Sequence, residues 1–411
     1  MGRRGRDVIV AGAGIVGIAT AIWCQRAGHR VTVVDREGPA AGASHGNAGV
    51  LAAGALVPVA VPGLLAKAPG MLLDRHSPLF LRWAHLPRLL PFLRRYLGHA
   101  TEAHVRHYAA EMIRLLGDSH AQHVALAEGT GAERYVRPED YAFGYDTAAA
   151  RAADEGGWRL RAEHGVRFDE VDGAAYDDPF WRGRFAHVVV CRDHGRITDP
   201  GAYVAALFAH FRAQGGQFVR ASVEDVEMEG GRCVALRTSE GPMRADAIVL
   251  ALGAWSAPIA RKLGARRLAF ETERGYHVEL LDPSAYPRDA MMVASGKFAV
   301  NAMEGRIRCA GVVEFAGLRA AASPAPLAML RRRIARLLPD VTWREEREWL
   351  GHRPAPADSL PLIGPASGAF LAFGHQHVGL TAGPKTGRIV AGMIDGTAGD
   401  AWRAFDPMRH A

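Results

Sequence analysis

Hydrophobic and polar positions divide the chain into two regimes. A short strand, Asp7 to Val10, is apolar after its first residue and enters the small-residue turn Ala11-Gly12-Ala13-Gly14-Ile15-Val16-Gly17. A second apolar run, Val31 to Val34, ends on Asp35, and a third, Ala245 to Leu252, enters Gly253-Ala254-Trp255. Apolar runs without alternation predict strands buried on both faces, as in a parallel sheet covered by helices. Asp199-Pro200 reads as a helix N-cap followed by proline at the first helical position, so a helix is expected through Phe211. Beyond residue 270 the pattern changes. Tyr276 to Leu280, Lys297 to Met303 and Arg306 to Val313 read as antiparallel strands, the last two joined across Glu304-Gly305, with a basic helix following over Leu327 to Leu338. The expected fold class is α/β: a Rossmann-like nucleotide domain beside a second domain with a mainly antiparallel sheet and helices.

The turn after the first strand is a dinucleotide-binding fingerprint in its required strand-turn-helix context. Gly12, Gly14 and Gly17 stand where the turn is tight, where backbone approaches a pyrophosphate and where helix meets strand. The phosphates are expected over Gly14, Ile15 and Val16, at the N-terminus of the following helix, where free N–H groups and the helix dipole favour negative charge. Asp35 lies 18 residues after Gly17, the right separation for a carboxylate that accepts from a ribose diol and repels a 2′-phosphate.

Two other stretches bear on the environment. Residues 48 to 66 carry no charge, but Gly54, Pro58, Pro62 and Gly63 oppose a spanning helix, and a buried irregular segment beside a cofactor is expected. Leu79 to Leu97 mixes leucines and aromatics with Arg82, Arg88, Arg94 and Arg95. It reads as a core-facing helical pair broken at Pro87 and Pro91, with peripheral membrane contact as the alternative. At 411 residues, with 49% hydrophobic and 23% charged residues, the chain suits two joined domains of a soluble enzyme. Its net charge of +7 is dispersed, which favours anionic substrates or membrane surfaces and points away from nucleic acid. The four cysteines form no CxxC pair and read as reduced structural thiols, and no secretory signal stands at the basic N-terminus. A cytoplasmic location is expected, with a peripheral position on the inner membrane face as the alternative.

An NAD enzyme needs one phosphate-binding turn, yet further glycine-rich segments follow: Gly42-Ala43-Ser44-His45-Gly46-Asn47-Ala48-Gly49, and Gly374-His375-Gln376-His377-Val378-Gly379-Leu380-Thr381, which leads to a helix expected from Pro384 to Met393. A helix N-terminus near a flavin would stabilise the negative charge that reduction places there. Together with Arg274-Gly275-Tyr276-His277, Gly351-His352-Arg353-Pro354 and Asp358 to Gly364, these motifs resemble the D-amino-acid oxidase family of FAD-dependent oxidoreductases over nearly the whole chain. Within it the chain looks most like bacterial D-amino-acid dehydrogenases and the glyphosate oxidoreductase branch.

The resemblance implies noncovalent FAD in a glutathione-reductase-type domain assembled from residues 1–75, 155–255 and 350–411, with residues 76–154 and 256–349 forming the substrate domain. It implies cofactor contacts from the fingerprint, Asp35, Arg36, Ser44, His45, Asn47, Ala48, Gly49, Val223, Gly253, Trp255 and Arg353. Gly374, His377, Val378, Gly379, Leu380 and Thr381 would complete them. It also implies oxidation of an amino acid's C–N bond by hydride transfer to flavin, giving an imine and then an oxo acid. N-substituted glycines giving glyoxylate are favoured, and D-amino acids stay open; the electron acceptor is oxygen or a quinone. Arg353 matches the family's carboxylate-binding arginine, a role suited to its two parallel N–H donors. Tyr276 is expected to add a substrate hydrogen bond, His45 to lie over the flavin or near the substrate amine, and His375 to stand near the substrate. No metal site is expected, because His375 and His377 lack further ligands. Two other readings stay open: an NAD-dependent dehydrogenase, and a noncatalytic flavoprotein subunit of a larger dehydrogenase.

Overall fold

A computed structural model describes residues 5–64, 79–398 and 400–411. The strands Asp7–Ala11 and Arg30–Asp35 pair in parallel, and Ala247–Leu250 adds to the other edge of the first in the same direction. Every residue of Ala247–Leu250 is buried, as its unbroken apolar run requires. The full six-stranded sheet has the order Leu362–Ala366, Ala369–Phe373, Ala247–Leu250, Asp7–Ala11, Arg30–Asp35, Gln217–Arg220. The C-terminal hairpin is thus built into the sheet that the N-terminus begins. Helix Ile15–Arg26 packs Ile18 and Ile22 into a core shared with Val204 and Leu207 of helix Pro200–Ala213 and Val390 of helix Gly379–Ile394.

The second sheet has ten strands, in the order Glu345–Pro356, Phe270–Leu281, Arg306–Phe315, Phe298–Met303, Ala290–Val293, Val136–Tyr145, His187–Ile197, Val50–Leu51, with Leu79–Leu81 and Phe168–Asp172 paired off this path. It is mainly antiparallel; the pairings of Ala290–Val293 with Val136–Tyr145 and of Leu79–Leu81 with Arg306–Phe315 are parallel. Helix Pro324–Leu337 covers one face, with Leu327, Leu330 and Ile334 packed against Val278, Val300 and Ile307.

Sheet membership departs from the expected segmentation in both directions. Val50–Leu51, Phe168–Asp172, His187–Ile197 and residues 350–356 of Glu345–Pro356 come from segments expected in the nucleotide half but belong to the ten-stranded sheet. Conversely, Met112, Leu115 and Leu126 from residues 76–154 enter the core beneath the nucleotide sheet. The stretch expected as a broken helical pair is strand Leu79–Leu81, a short turn of 3₁₀ helix and one helix, Leu86–Gly98. Pro87 falls in the first helical turn, where its missing N–H has no partner to lose, and Pro91 stands on the exposed side, where water reaches the freed carbonyl. Residues 65 and 66 of the uncharged stretch lie outside the described residues.

The last helix starts at Gly379, five residues before the expected Pro384. Proline there removes the N–H that would reach the Leu380 carbonyl, and the His123 Nε2–H donates to that carbonyl instead, at 2.9 Å. All four cysteines are free and buried, and burial pushes the Cys24 and Cys191 thiols up to about 12. Among the described residues no helix is long and apolar enough to cross a membrane.

Asp199 caps helix Pro200–Ala213 by accepting from the Ala202 N–H at 2.9 Å and also pairs with Arg306 of the second sheet at 2.7 Å. Asp199→Ala is expected to lower unfolding stability by about 1–2 kcal/mol through loss of the cap alone, read from urea denaturation.

Candidate active site

Only glycine can build the turn after the first strand. Gly12 has φ +109°, and a Cβ there would meet the Ala251 carbonyl oxygen at 2.4 Å; a Cβ on Gly17 would meet the Gly12 carbonyl oxygen at 1.9 Å. Gly14 is the N-cap of the following helix, and its backbone, with those of Ile15 and Val16, forms a cavity wall. Asp35 holds the turn as well as facing the cavity: one carboxylate oxygen accepts from the Ala13 N–H at 2.9 Å, the other from the Glu37 and Gly38 N–H groups. The Arg36 guanidinium lies 4.6 Å over the Trp255 ring, and Val223 and Gly253 line the same cavity.

The loop from Ser44 to Gly49 is fastened at both ends of its course. Ser44 Oγ accepts from the Ile15 N–H at 3.0 Å, which ties the loop to the fingerprint helix. On its other side the second sheet grips the loop's carbonyls. Arg308 Nη1 donates to His45 O and Asn47 O, Asn301 Nδ2 to Ala48 O, and His277 Nδ1 to Gly46 O. Arg308 is fully buried and paired with Glu279, which also receives Arg306. Burial alone would raise the Glu279 carboxyl, but the two guanidinium groups hold it below the usual carboxylate range. Asn47 turns its own side chain back to the Gly49 N–H, and Gly49 itself packs on the Ile197 carbonyl.

The gripping residues Arg308, Glu279 and Asn301 were missed in the sequence. A signal was present: Arg306 and Arg308 occupy alternate positions of an otherwise apolar strand, and charge repeated at period two on a strand marks one polar face. Only the register, which sets Glu279 beside Arg308, shows what that face binds.

The C-terminal segment closes the cavity from the far side. Gly379, Leu380 and Thr381 line it as the first residues of the last helix, with Val378 as the N-cap. Thr381 Oγ1 accepts from the Ala52 N–H at 3.2 Å, joining this helix to the chain that leaves the loop. Gly374 has φ +91° and supplies the bend before them without lining the cavity. His375 hydrogen-bonds Thr386 Oγ1 at 3.0 Å, and burial pushes it down to about 3. His377 opens onto the cavity, and its setting deep in the protein beside Arg353 pushes it down to about 4. Both rings are therefore neutral at ordinary pH.

Arg353 stands at the meeting of the two sheets. Its guanidinium lies across Gly275, where a Cβ would approach Cζ to 2.4 Å, and Nη1 donates to the Val312 carbonyl at 3.0 Å. Val312 has φ +57°, a strained conformation for a β-branched residue, at a bulge between Phe270–Leu281 and Arg306–Phe315. The remaining guanidinium N–H groups have no protein acceptor among the described residues, and Arg353 lines the cavity.

Two other expected substrate residues have their polar groups or rings engaged differently. Tyr276 also lines the large cavity, but strand alternation sets it on the face opposite Arg353, and its hydroxyl donates to Glu314 at 2.5 Å and accepts from the Ser323 N–H. Glu314 also pairs with Arg274 at 3.4 Å, so the tyrosine hydroxyl is held in a buried polar cluster. The His45 ring points away from the large cavity into a separate one of about 430 Å³, shared with His277, Arg306 and Trp349, because its own carbonyl is held by Arg308.

The large cavity has a volume of about 1320 Å³ and runs from Asp35 past the fingerprint to Arg353. That exceeds the usual few hundred to about 1,000 Å³ of a single-ligand pocket, leaving room for an extended dinucleotide and a substrate together. It continues beyond Arg353 between Leu79, Leu81, Leu89, Leu93 and Tyr96, an apolar lobe. The residues fit FAD: backbone N–H groups for a pyrophosphate, Asp35 for a ribose and a helix N-terminus at the far end.

A family model described as FAD dependent oxidoreductase (DAO) matches residues 7–393. The D-amino-acid oxidase of Bradyrhizobium diazoefficiens is 39% identical to this chain over 95% of it and 96% of the relative. The D-amino acid dehydrogenase of Sinorhizobium medicae is 30% identical over 94% and 95%. The solved glycine oxidase of Geobacillus kaustophilus shares the fold, with a TM-score of 0.73, 21% identity and 99% of each chain covered.

Two substitutions separate cofactor seating from loop clamping. Gly14→Val, whose side chain would enter the cavity beside Ser44 Oγ, is expected to abolish FAD retention while the chain still folds, measured as flavin released per chain on denaturation. Arg308→Met is expected to lower both flavin content and stability, the latter by about 3–5 kcal/mol in chemical denaturation, because it breaks a buried ion pair.

Proposed function

This chain belongs to the DAO family of FAD-dependent oxidoreductases, and from that we propose that it oxidises the C–N bond of an amino acid, preferring D-amino acids with an apolar side chain. When bound, FAD supplies the acceptor for the hydride that leaves the substrate's α-carbon. The backbone at Gly12 to Val16 and the Asp35 carboxylate would hold its ADP half, and the Asn47–Ala48 and Gly379–Thr381 segments its reactive half. None of the four cysteines lines the cavity, which supports noncovalent binding.

Arg353 carries the proposal. One of its N–H groups is anchored on the strained Val312 carbonyl, so the rest of the planar donor set is fixed in direction and free to grip a carboxylate. The apolar lobe beyond it would receive the side chain and exclude water from the reacting carbon. The loss of hydride from the neutral amine leaves an iminium ion, which water hydrolyses to an oxo acid and ammonium. The names of the two curated relatives support D-amino acids over the N-substituted glycines favoured by the motifs alone. The exposed Trp83 and Leu90 beside Arg82, Arg88, Arg94 and Arg95 form the surface that supports peripheral contact with an anionic membrane.

Anaerobic bleaching of bound flavin by apolar D-amino acids, faster than by their L-enantiomers or by N-carboxymethyl amines, is the expected result; reoxidation by added oxygen or by a quinone then identifies the acceptor. Arg353→Ala should raise the substrate concentration needed for bleaching by about 100-fold or more with the flavin spectrum intact, and unchanged kinetics would remove it from the site.

A further inference from the structure

An amino acid arrives mostly as a zwitterion, yet its nitrogen must carry a free lone pair when hydride leaves the neighbouring carbon. The ammonium proton therefore needs an acceptor. We propose that Glu273 is that acceptor, a role that rests on the amino-acid reading above.

Glu273 and Arg353 are directly opposite each other in the register of Phe270–Leu281 and Glu345–Pro356, so both side chains project from one face of the sheet. Cβ atoms of such a pair lie about 4.5–5.5 Å apart. In an α-amino acid the carboxylate and the nitrogen share one carbon, so a substrate gripped by Arg353 carries its ammonium group within reach of the neighbouring carboxylate. Glu273 is only 4% exposed, yet it lines the cavity and receives no hydrogen bond from the described residues. A buried carboxylate without a donor is costly. Here the missing partner is one that the ligand brings.

The groups facing Glu273 leave it competent as a base. Arg353 lies across the sheet, and Tyr96 of Leu86–Gly98 and Tyr108 of Glu102–Leu116 are close enough to feel its charge. Burial and the Glu273 charge raise both phenols, so they stay protonated, and His377 beside Arg353 is neutral. Burial raises the Glu273 carboxyl, and Arg353 offsets only part of that rise. A carboxylate shifted upward toward the working pH is better matched to accept a proton. The step balances without redox: one N–H bond of the ammonium breaks, one O–H bond forms on Glu273, and the pair stays neutral overall beside Arg353. Because the acceptor must be ionised, the rate is lost as pH falls through this raised value.

The test is Glu273→Gln in the FAD-loaded chain, with anaerobic flavin reduction by an apolar D-amino acid followed between about pH 5 and 10. Reduction near neutrality should slow by about 100-fold or more. It should then climb about tenfold per pH unit toward the pH at which the substrate's own ammonium ionises. Isovalerate, a carboxylate without an amine, should bind the variant at least as tightly as the wild type, read from the flavin absorbance. A wild-type pH profile in the variant overturns the proposal, and so does a loss of isovalerate binding that accounts for the slower rate. Should the Gln variant not retain FAD, Glu273→Asp and the wild type decide. The Asp variant must keep an acid limb, and a wild-type rate that is flat down to about pH 5 overturns the assignment. A wild type inert to every amino acid removes both this role and the reading beneath it; a reactive wild type with an unaffected variant removes this role alone.

Discussion

Arg308 is fully buried, and its guanidinium is divided between the Glu279 carboxylate and the carbonyls of His45 and Asn47. A charge taken out of water is tolerable only when a counter-ion and acceptors surround it. This one is so surrounded only when the Ser44–Gly49 loop lies on the second sheet. The constraint then spreads. Glu279 also holds Arg306, Arg306 holds Asp199, and Asp199 caps the helix that packs under the nucleotide sheet. The two sheets are joined by a row of charges whose members cannot be repositioned singly.

The same sheet face divides its labour along its length. At one end His277, Glu279 and Arg308 hold backbone; at the other, Glu273 and Arg353 face open cavity. Gly275 lies between them and gives the Arg353 guanidinium a surface to rest on. Bound carbonyls make one end rigid, and unfilled donors and acceptors make the other receptive. The strain at Val312 belongs to this arrangement, since the bulge there supplies a carbonyl aimed along Arg353 where a regular ladder would spend it on a neighbouring strand.

What was legible in the sequence was local. Gly12, Gly14, Gly17 and Asp35 act within one strand-turn-helix-strand unit, and Asp199-Pro200 caps its own helix, so spacing alone locates them. Features set by distant pairing were not legible. Tyr276 and Arg353 look equally suited to a carboxylate until the strand register puts them on opposite faces. Pro384 looks like a helix start because a helix rule is being applied to neighbours alone, whereas His123, far away in sequence, satisfies the carbonyl that the proline abandons. His45 is prominent in its motif for the shape of its backbone, and its ring goes where that backbone sends it.

The order of the six-stranded sheet also has a consequence in time. Strand Asp7–Ala11 is synthesised well before one of its two neighbours, Ala247–Leu250, which lies some 240 residues later, and the hairpin beyond that follows later still. Such long-range pairings are slow to form and leave apolar strands waiting for partners. The nucleotide-binding turn is thus synthesised long before the Gly379–Thr381 segment that closes the cavity over it. A flavin enclosed by that later segment stabilises, by mass action, only a chain in which the two distant parts have already met.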